Sequence, residues 1–211
     1  MATHSSPRLV LDWDGTVVEE DILILVLERF GDQDVFDRVD PLFERGAASW
    51  VEAMELEVAT LRVSLEEANA WVAEHVRIRP GFHELVGRYE TTILSGNFEE
   101  LIRPVLAAEG LDLEIRANGV EPHPDGWRVR WNEGLPCDAC RPRGDACKRN
   151  SLPEAPVVYV GDSTSDHCAA LVADRVFARD GLARYLQRED VPFEPFEDFR
   201  DVLAALEGQE R

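Results

Sequence analysis

The sequence predicts an α/β fold, a Rossmann-like parallel sheet with a small helical insert. Three observations carry that prediction. The apolar runs at 8–11 and 157–160 break off in acids, Asp12-Trp13-Asp14-Gly15 and Gly161-Asp162. A third run, 91–94, ends in Ser95-Gly96-Asn97. Between the first and third runs the apolar spacing is helical. Buried parallel strands read as short apolar runs, and sheets of this kind bind ligands at the carboxyl ends of their strands.

Taken in order, residues 8–11 form a strand that delivers Asp12 and Asp14 at its end. From Asp21 to about Arg79 the apolar residues fall at helical spacing: Ile22, Leu25, Val26 and Phe30; then Trp50, Met54, Val58 and Leu61 behind a cap at Ser49; then Ala68, Trp71, Val72 and Val76 after Ser64. Pro80-Gly81 marks the exit. This divides the chain into a core of residues 1–18 and 80–211 and a helical cap of residues 19–79. The strand at 91–94 leads into a helix from 98 to about 109. Residues 114–120 and 126–131 read as a hairpin joined through His123-Pro124-Asp125-Gly126. A polar loop rich in Cys and Arg follows, then the strand at 157–160 and a helix after Ser165. There is no internal repeat and no low-complexity segment.

Composition narrows the function. A chain of 211 residues holds one mid-sized core, or a core with a small module. Apolar residues make up 45% and charged residues 30%, as in soluble proteins, and no segment approaches the roughly 18 apolar residues of a membrane span. Residues 1–7 lack a positive region followed by an apolar stretch, so no secretory signal is expected and the location is read as cytoplasmic. A net charge of -20 repels nucleic acid and anionic lipid, which argues against both as partners. It leaves room for a small anionic substrate, because a metal ion and a few cations reverse the potential inside one cleft.

Asp12, Asp14, Asp162 and Asp166 lie at two strand ends. Converging carboxylates repel unless a hard cation neutralises them, and oxygen ligands suit magnesium. With 42 acids in the chain, a D-x-D pair alone is as well explained by a solvated turn. Lys148 stands out on its own, as the single lysine among 22 basic residues: a compact ammonium on a flexible stem is kept where arginine's broad fork would not serve, unless its retention is a surface accident. Cys137, Cys140 and Cys147 admit two readings, reduced thiols or a zinc site completed by a residue such as His123 or Cys168. Their spacing does not match paired C-x-x-C knuckles, which favours thiols. His4, His75, His83, His123 and His167 form no ligand-spaced set.

The string from Leu9 to Thr16 resembles the first motif of haloacid dehalogenase-type phosphatases, apolar residues followed by D-x-D-G-T. Ser95 resembles the second motif, Lys148 the third, and Gly161-Asp162-Ser163-Thr164-Ser165-Asp166 the fourth, in the same order and spacing. The resemblance covers residue 8 to about residue 179. It implies magnesium-dependent hydrolysis of a small phosphomonoester. Asp12 would be the nucleophile and a metal ligand, and Asp14 the general acid and then base, counted also with the metal-binding acids. Lys148 would neutralise the nucleophile and the transferring phosphoryl group, Asp162 and Asp166 would bind the metal, and Ser95, Gly96 and Asn97 would hold phosphate. Thr16 would orient the loop beside the phosphate. Asp14 favours phosphatase over dehalogenase, since a halide leaves without a proton. The D-K-T-G-T string of the ion-pumping relatives is absent.

The insert resembles the small cap of phosphoserine-phosphatase-like members, where Asp21 would face substrate or simply cap a helix. At a finer level, Ser95-Gly96-Asn97 through Leu106, Gly161 through Ala170 and the cysteines before Lys148 look like the phosphatases of 2-hydroxy-3-keto-5-methylthiopentenyl-1-phosphate. The Cys-rich approach also resembles that of phosphoethanolamine/phosphocholine phosphatases. Asn97 replaces a glycine usual in this group, and the loop from Cys140 to Cys147 is longer. The implied partner is a small phosphorylated metabolite, with the chain a monomer or homodimer. The competing class is a non-catalytic phosphate-metabolite-binding or regulatory protein on the same fold, which would have no need of Asp14.

Overall fold

The computed structural model describes residues 7–154 and 156–209; His4 and the segment read for a signal, up to residue 6, lie outside them. Strand β1 (Arg8–Leu11) is the middle of a seven-stranded sheet, with Leu9, Val10 and Leu11 all buried. Alternation explains this placement. Val10 faces one layer, with Leu94, Tyr159, Leu182 and Leu186, while Leu9 and Leu11 face the other, with Ile93, Phe98, Leu101 and Phe177.

Beside β1 lie β2 (Thr91–Phe98) and β5 (Val157–Gly161), both parallel to it. On the β2 side follow β3 (Glu114–Glu121) and an antiparallel edge, β4 (Arg128–Arg130), which confirms the expected hairpin. On the β5 side lie β6 (Arg175–Ala178) and β7 (Glu194–Pro195), also parallel. The order is therefore β4-β3-β2-β1-β5-β6-β7. The chain winds outward from β1 one way and then returns to wind the other way from β5. A crevice opens where the order reverses, outside the carboxyl ends of β1, β2 and β5.

Between β1 and β2 run four helices, α1 (Ile22–Phe30), α2 (Gln33–Glu44), α3 (Trp50–Val58) and α4 (Leu65–His75). Ser49 and Ser64 cap α3 and α4 by accepting from the N–H groups of Glu52 and Glu67, both at 3.2 Å. Helix α2 is not among the helices expected from the sequence, although Val35, Phe36, Val39, Leu42 and Phe43 recur at helical spacing in it; Pro41 lies inside it, and of its residues only Val39 is buried. The insert leaves and rejoins the core at one neck, where Val18 bridges Ile78. Its apolar residues do not close on themselves. Val26, Val58, Leu61 and Val72 belong to the same buried cluster as Leu9, Phe98 and Leu101. The hairpin holds it as well: the Trp127 indole donates to the Val63 carbonyl at 2.7 Å, and Gly126, at φ 130, has no room for a Cβ against the Ala59 carbonyl.

The remaining helices are α5 (Phe82–Val86), α6 (Glu99–Ala108), α7 (His167–Ala170), α8 (Asp180–Arg188) and α9 (Phe199–Gln209). The second strand is longer than the apolar run predicts. It continues through Ser95-Gly96-Asn97 to Phe98, with a shift of register against β3 between Leu94 and Phe98. No helix of the described residues is long and apolar enough to cross a membrane. Fully buried Phe82 packs on Phe199 with ring centroids 5.6 Å apart, tying α5 to α9. Phe82→Ala is therefore expected to cost about 3–5 kcal/mol in urea denaturation. Leu56→Ala, on the exposed side of α3, should change it by less than about 0.5 kcal/mol.

Candidate active site

At the carboxyl end of β1 the chain makes one wide turn, Trp13–Val17, closed by the Val18 N–H on the Trp13 carbonyl at 3.1 Å. Such π-type turns aim side chains that a regular helix would turn away. Gly15 is needed in it twice over: its φ is 72, and a Cβ there would strike the Asp162 carboxylate. Arg79, buried at the neck of the insert, clamps the turn by donating to the carbonyls of Thr16 at 2.9 Å and Gly15 at 2.8 Å.

Inside this frame Lys148 is buried between Asp12 and Asp166, in direct contact with the first and 2.7 Å from the second. The second Asp166 oxygen accepts from the backbone N–H groups of Asp162 at 3.0 Å and Ser163 at 2.9 Å, while the Tyr159 hydroxyl donates to the first at 2.6 Å. Burial alone would raise the Asp166 carboxyl, but these donors and the ammonium hold it below its usual range. The charge balance elsewhere is unfavourable. Burial, then the Asp166 charge, pushes Asp12 well up and Asp162 to about 6. Burial would lower the Lys148 ammonium, but Asp12 and Asp166 outweigh it and keep it charged.

Carboxylate oxygens of Asp12, Asp162 and Asp166 lie within 4.8 Å of one another. One ammonium cannot neutralise three carboxylates, two of them fully and one partly buried, and an all-oxygen set of this charge fits magnesium. Asp12 and Asp162 are the members with lone pairs to offer. Asp166, expected as a ligand, has four donors on its two oxygens, which fill its acceptor capacity. Its work is to hold Lys148 and the Asp162 turn.

Asp14, also expected among the metal-binding acids, turns its carboxylate the other way. It accepts from the Ile22 N–H at 2.9 Å, from the Asn97 amide at 3.3 Å and from the Ser95 hydroxyl at 3.4 Å. Burial and the charge of Asp21 raise it to about 8, the direction that favours its protonated form. Asn97, the departure from the usual glycine, thus supplies a donor to this acid.

The other expected residues divide. Ser95, Gly96 and Asn97 line the cleft with Asp12, Asp14 and Lys148. Gly96 is pinned by Asn118, whose amide donates to its carbonyl at 2.6 Å. Thr16 faces inward, its hydroxyl donating to Asp162 at 3.2 Å, and so orients an acid instead of meeting phosphate. Asp21 caps α1 through the N–H groups of Leu23 and Ile24 at 3.0 and 3.1 Å, with its carboxylate on the cleft wall.

The cleft has a volume of about 530 Å³. Sequence reasoning missed most of its outer wall: Leu23, Phe43, Trp50 and Met54 from the insert, and His167 and Tyr185, stacked 3.5 Å apart, from α7 and α8. Trp50 reaches the core, lying against Gly96 and 5.3 Å from the Trp131 ring. The one available signal was Tyr159, a hydroxyl within an otherwise aliphatic buried strand. Nothing marked Arg79 among 21 arginines.

Comparison with known proteins agrees with this arrangement. The family model of haloacid dehalogenase-like hydrolases matches residues 9–171. The chain is 31% identical to a 2-hydroxy-3-keto-5-methylthiopentenyl-1-phosphate phosphatase of Geobacillus kaustophilus, over 96% of each chain. It is 27% identical to the one of Exiguobacterium sibiricum, over 96% of this chain and 97% of that one. A phosphoserine phosphatase solved with an analogue of its phospho-aspartyl intermediate shares the fold, with a TM-score of 0.65, 16% identity, and coverage of 94% of this chain and 98% of that one. With its four motifs gathered at one sheet edge, the chain belongs to the haloacid dehalogenase-like hydrolase family, as an enzyme of its phosphatase branch.

Proposed function

We propose that this chain hydrolyses a small phosphomonoester, with magnesium, through an aspartyl-phosphate formed on Asp12. The observation that supports this most directly is that two carboxyl groups separated by one residue face different partners: Asp12 meets the Lys148 ammonium and the acid cluster, and Asp14 meets the Ile22 N–H, Ser95 and Asn97. A non-catalytic binder would gain nothing from the second. Magnesium held by the Asp12 and Asp162 carboxylates would neutralise them and draw charge from the phosphoryl oxygens.

The residues then have distinct tasks. Asp12 bonds to phosphorus as the ester P–O bond breaks, and Asp14 gives its proton to the departing alkoxide oxygen. Asp14, now a base, takes a proton from water. The water oxygen bonds to phosphorus, and the Asp12 carboxylate leaves with its electron pair. Lys148 offsets the charge on Asp12 throughout, and the Ser95 hydroxyl with the Gly96 backbone orients the phosphoryl oxygens. Residues 19–79 act as a cap that narrows the cleft and excludes water from the ester bond.

The wall formed by Leu23, Phe43, Trp50 and Met54 suits an apolar leaving group better than the ammonium and carboxylate of phosphoserine. A methylthio chain would pack on the two aromatic rings and the Met54 thioether. We therefore favour 2-hydroxy-3-keto-5-methylthiopentenyl-1-phosphate, the compound for which the relatives are named, with the chain as a soluble enzyme needing no nucleic acid or membrane. In a phosphate-release screen it should exceed phosphoserine in kcat/KM by at least ~10-fold, one methylene-sized contact already being worth about that much. The reverse order would reject this substrate.

Chelator should abolish hydrolysis of an aryl phosphate and magnesium should restore it; full activity in chelator would remove the metal from the reaction. Lys148→Arg is expected to slow turnover at least ~10-fold, because a planar fork cannot sit between Asp12 and Asp166 as the ammonium does. The two aspartates separate the steps. Asp12→Asn should show no turnover and no phosphorylation, whereas Asp14→Asn should lose about 10²–10⁴ in the hydrolytic step and accumulate one phosphoryl group. Mass spectrometry of acid-quenched protein would locate that group, and near-normal turnover without it would refute the assignment.

A further inference from the structure

The loop that carries Lys148, between β4 and β5, contains no strand and no α-helix among its described residues, only short 3₁₀ turns at Arg141–Arg143 and Arg149–Ser151. Long loops of this kind inside a compact domain need something to hold them. Arg141, Arg143 and Asn150 tie loop carbonyls at Glu133, Pro136 and Ala139, and the cysteines of the loop converge beside them. The Cys137 carbonyl accepts from the N–H groups of Cys140 at 3.0 Å and Arg141 at 2.9 Å, a tight turn that directs the Cys137 and Cys140 side chains toward one point. Cys147 joins them, and Cys168 arrives from α7 across the sheet edge.

These are all four cysteines of the chain. Their sulfurs lie within 4.8 Å of one another, with Cys140 and Cys168 at 3.6 Å. A tetrahedral zinc ion with bonds of about 2.3 Å sets its sulfurs about 3.8 Å apart, so the cluster needs little adjustment to close around one ion. Donors to the sulfurs are already placed. The Cys137 N–H points at the Cys147 sulfur at 3.4 Å, and the Arg143 guanidinium at the Cys140 sulfur at 3.6 Å. Donors of this sort stabilise thiolates, as outer partners do around bound metals, and have less to do around neutral thiols. Spacing along the chain favours free thiols because the loop holds only three cysteines; the fold supplies the fourth.

We propose that Cys137, Cys140, Cys147 and Cys168 bind one zinc ion as a closed tetrathiolate site, tying the Lys148 loop to α7. Four sulfurs leave no position for water, so this ion takes no part in the reaction. Soft thiolates here and hard carboxylates in the cleft select different metals, which lets the two sites coexist. Cys147 directly precedes Lys148, and Cys168 lies two residues beyond Asp166. The ion would therefore fix the spacing of the Lys148–Asp166 pair from behind. That last consequence rests on the proposed function; the metal site itself does not.

The full chain, purified under reducing conditions without chelator, should carry about one zinc by elemental analysis. Its four thiols should stay closed to a thiol reagent until zinc is displaced. Exchange with cobalt(II) should give the sulfur-to-metal charge-transfer band and the intense visible bands of a tetrahedral tetrathiolate. Cys168→Ser should weaken zinc affinity at least ~10-fold and alter the cobalt spectrum. If that variant fails to fold, the zinc content, thiol count and cobalt spectrum of the unaltered chain decide the matter. Absence of zinc after anaerobic reconstitution with four titrating thiols, or a Cys140–Cys168 disulfide in fresh protein, would overturn the proposal. Activity with magnesium, measured in parallel, separates the two readings: bound zinc in an inactive protein upholds this site and removes only the function, and activity without zinc does the opposite.

Discussion

Lys148, buried between Asp12 and Asp166, is the interaction on which the site depends. An ammonium is tolerated out of water only when paired and hydrogen-bonded, and each partner is itself held in place. Asp166 is held by Tyr159 and two backbone N–H groups, and Asp12 by the N–H of Trp13 at 2.6 Å. Removing the ammonium would leave two buried carboxylates facing each other without compensation. The architecture follows from that demand. Asp12 ends β1, Asp166 follows β5, and those strands are neighbours at the point where the strand order reverses.

The cluster remains short of positive charge, and that shortage is what makes it useful. A fully neutralised set of acids would be a structural salt bridge. Here burial, and after it the surplus of carboxylates, raises Asp12 and Asp162, and a cation would relieve both, so that an anionic substrate could be met in a protein of net charge -20. Asp14 is kept apart from this field by facing the first turn of α1, where the Ile22 N–H and Asn97 meet it. Two carboxyl groups on one turn thereby acquire different tasks.

The insert is bound to the core by continuous apolar packing and by the Trp127 indole, so its wall of the cleft is built on the same buried cluster that stabilises the sheet. Leu23, Phe43, Trp50 and Met54 give that wall apolar surface, on a cleft that Asp12, Asp14, Ser95 and Lys148 also line. Binding energy from a remote part of the substrate can in this way position the ester bond over Asp12.

Legibility in the sequence followed the range of the interaction. Strand ends, helix caps at Ser49 and Ser64, the hairpin and the four motifs depend on neighbours a few residues apart, and each was readable from Asp12, Ser95, Lys148 and Asp162 outward. Helix α2 was missed although Val35, Phe36, Val39, Leu42 and Phe43 are helically spaced, because Pro41 and Asp40 interrupt the run with residues that read as a break. Orientation was likewise beyond reach. Whether Asp14 faces the metal group or the insert and whether Thr16 meets phosphate or Asp162 depend on partners from distant segments, Ser95 and Asn97 for the first and Asp162 for the second. The donors that fill Asp166 converge only when β5, its turn and the Lys148 loop fold together. The same holds for Arg79 on the Gly15 turn and for Cys168 beside Cys140. Residue types alone determined which chemistry this chain can hold; the packing of distant segments decided which atom of each residue faces which partner, because burial leaves every polar group a single set of donors and acceptors to satisfy.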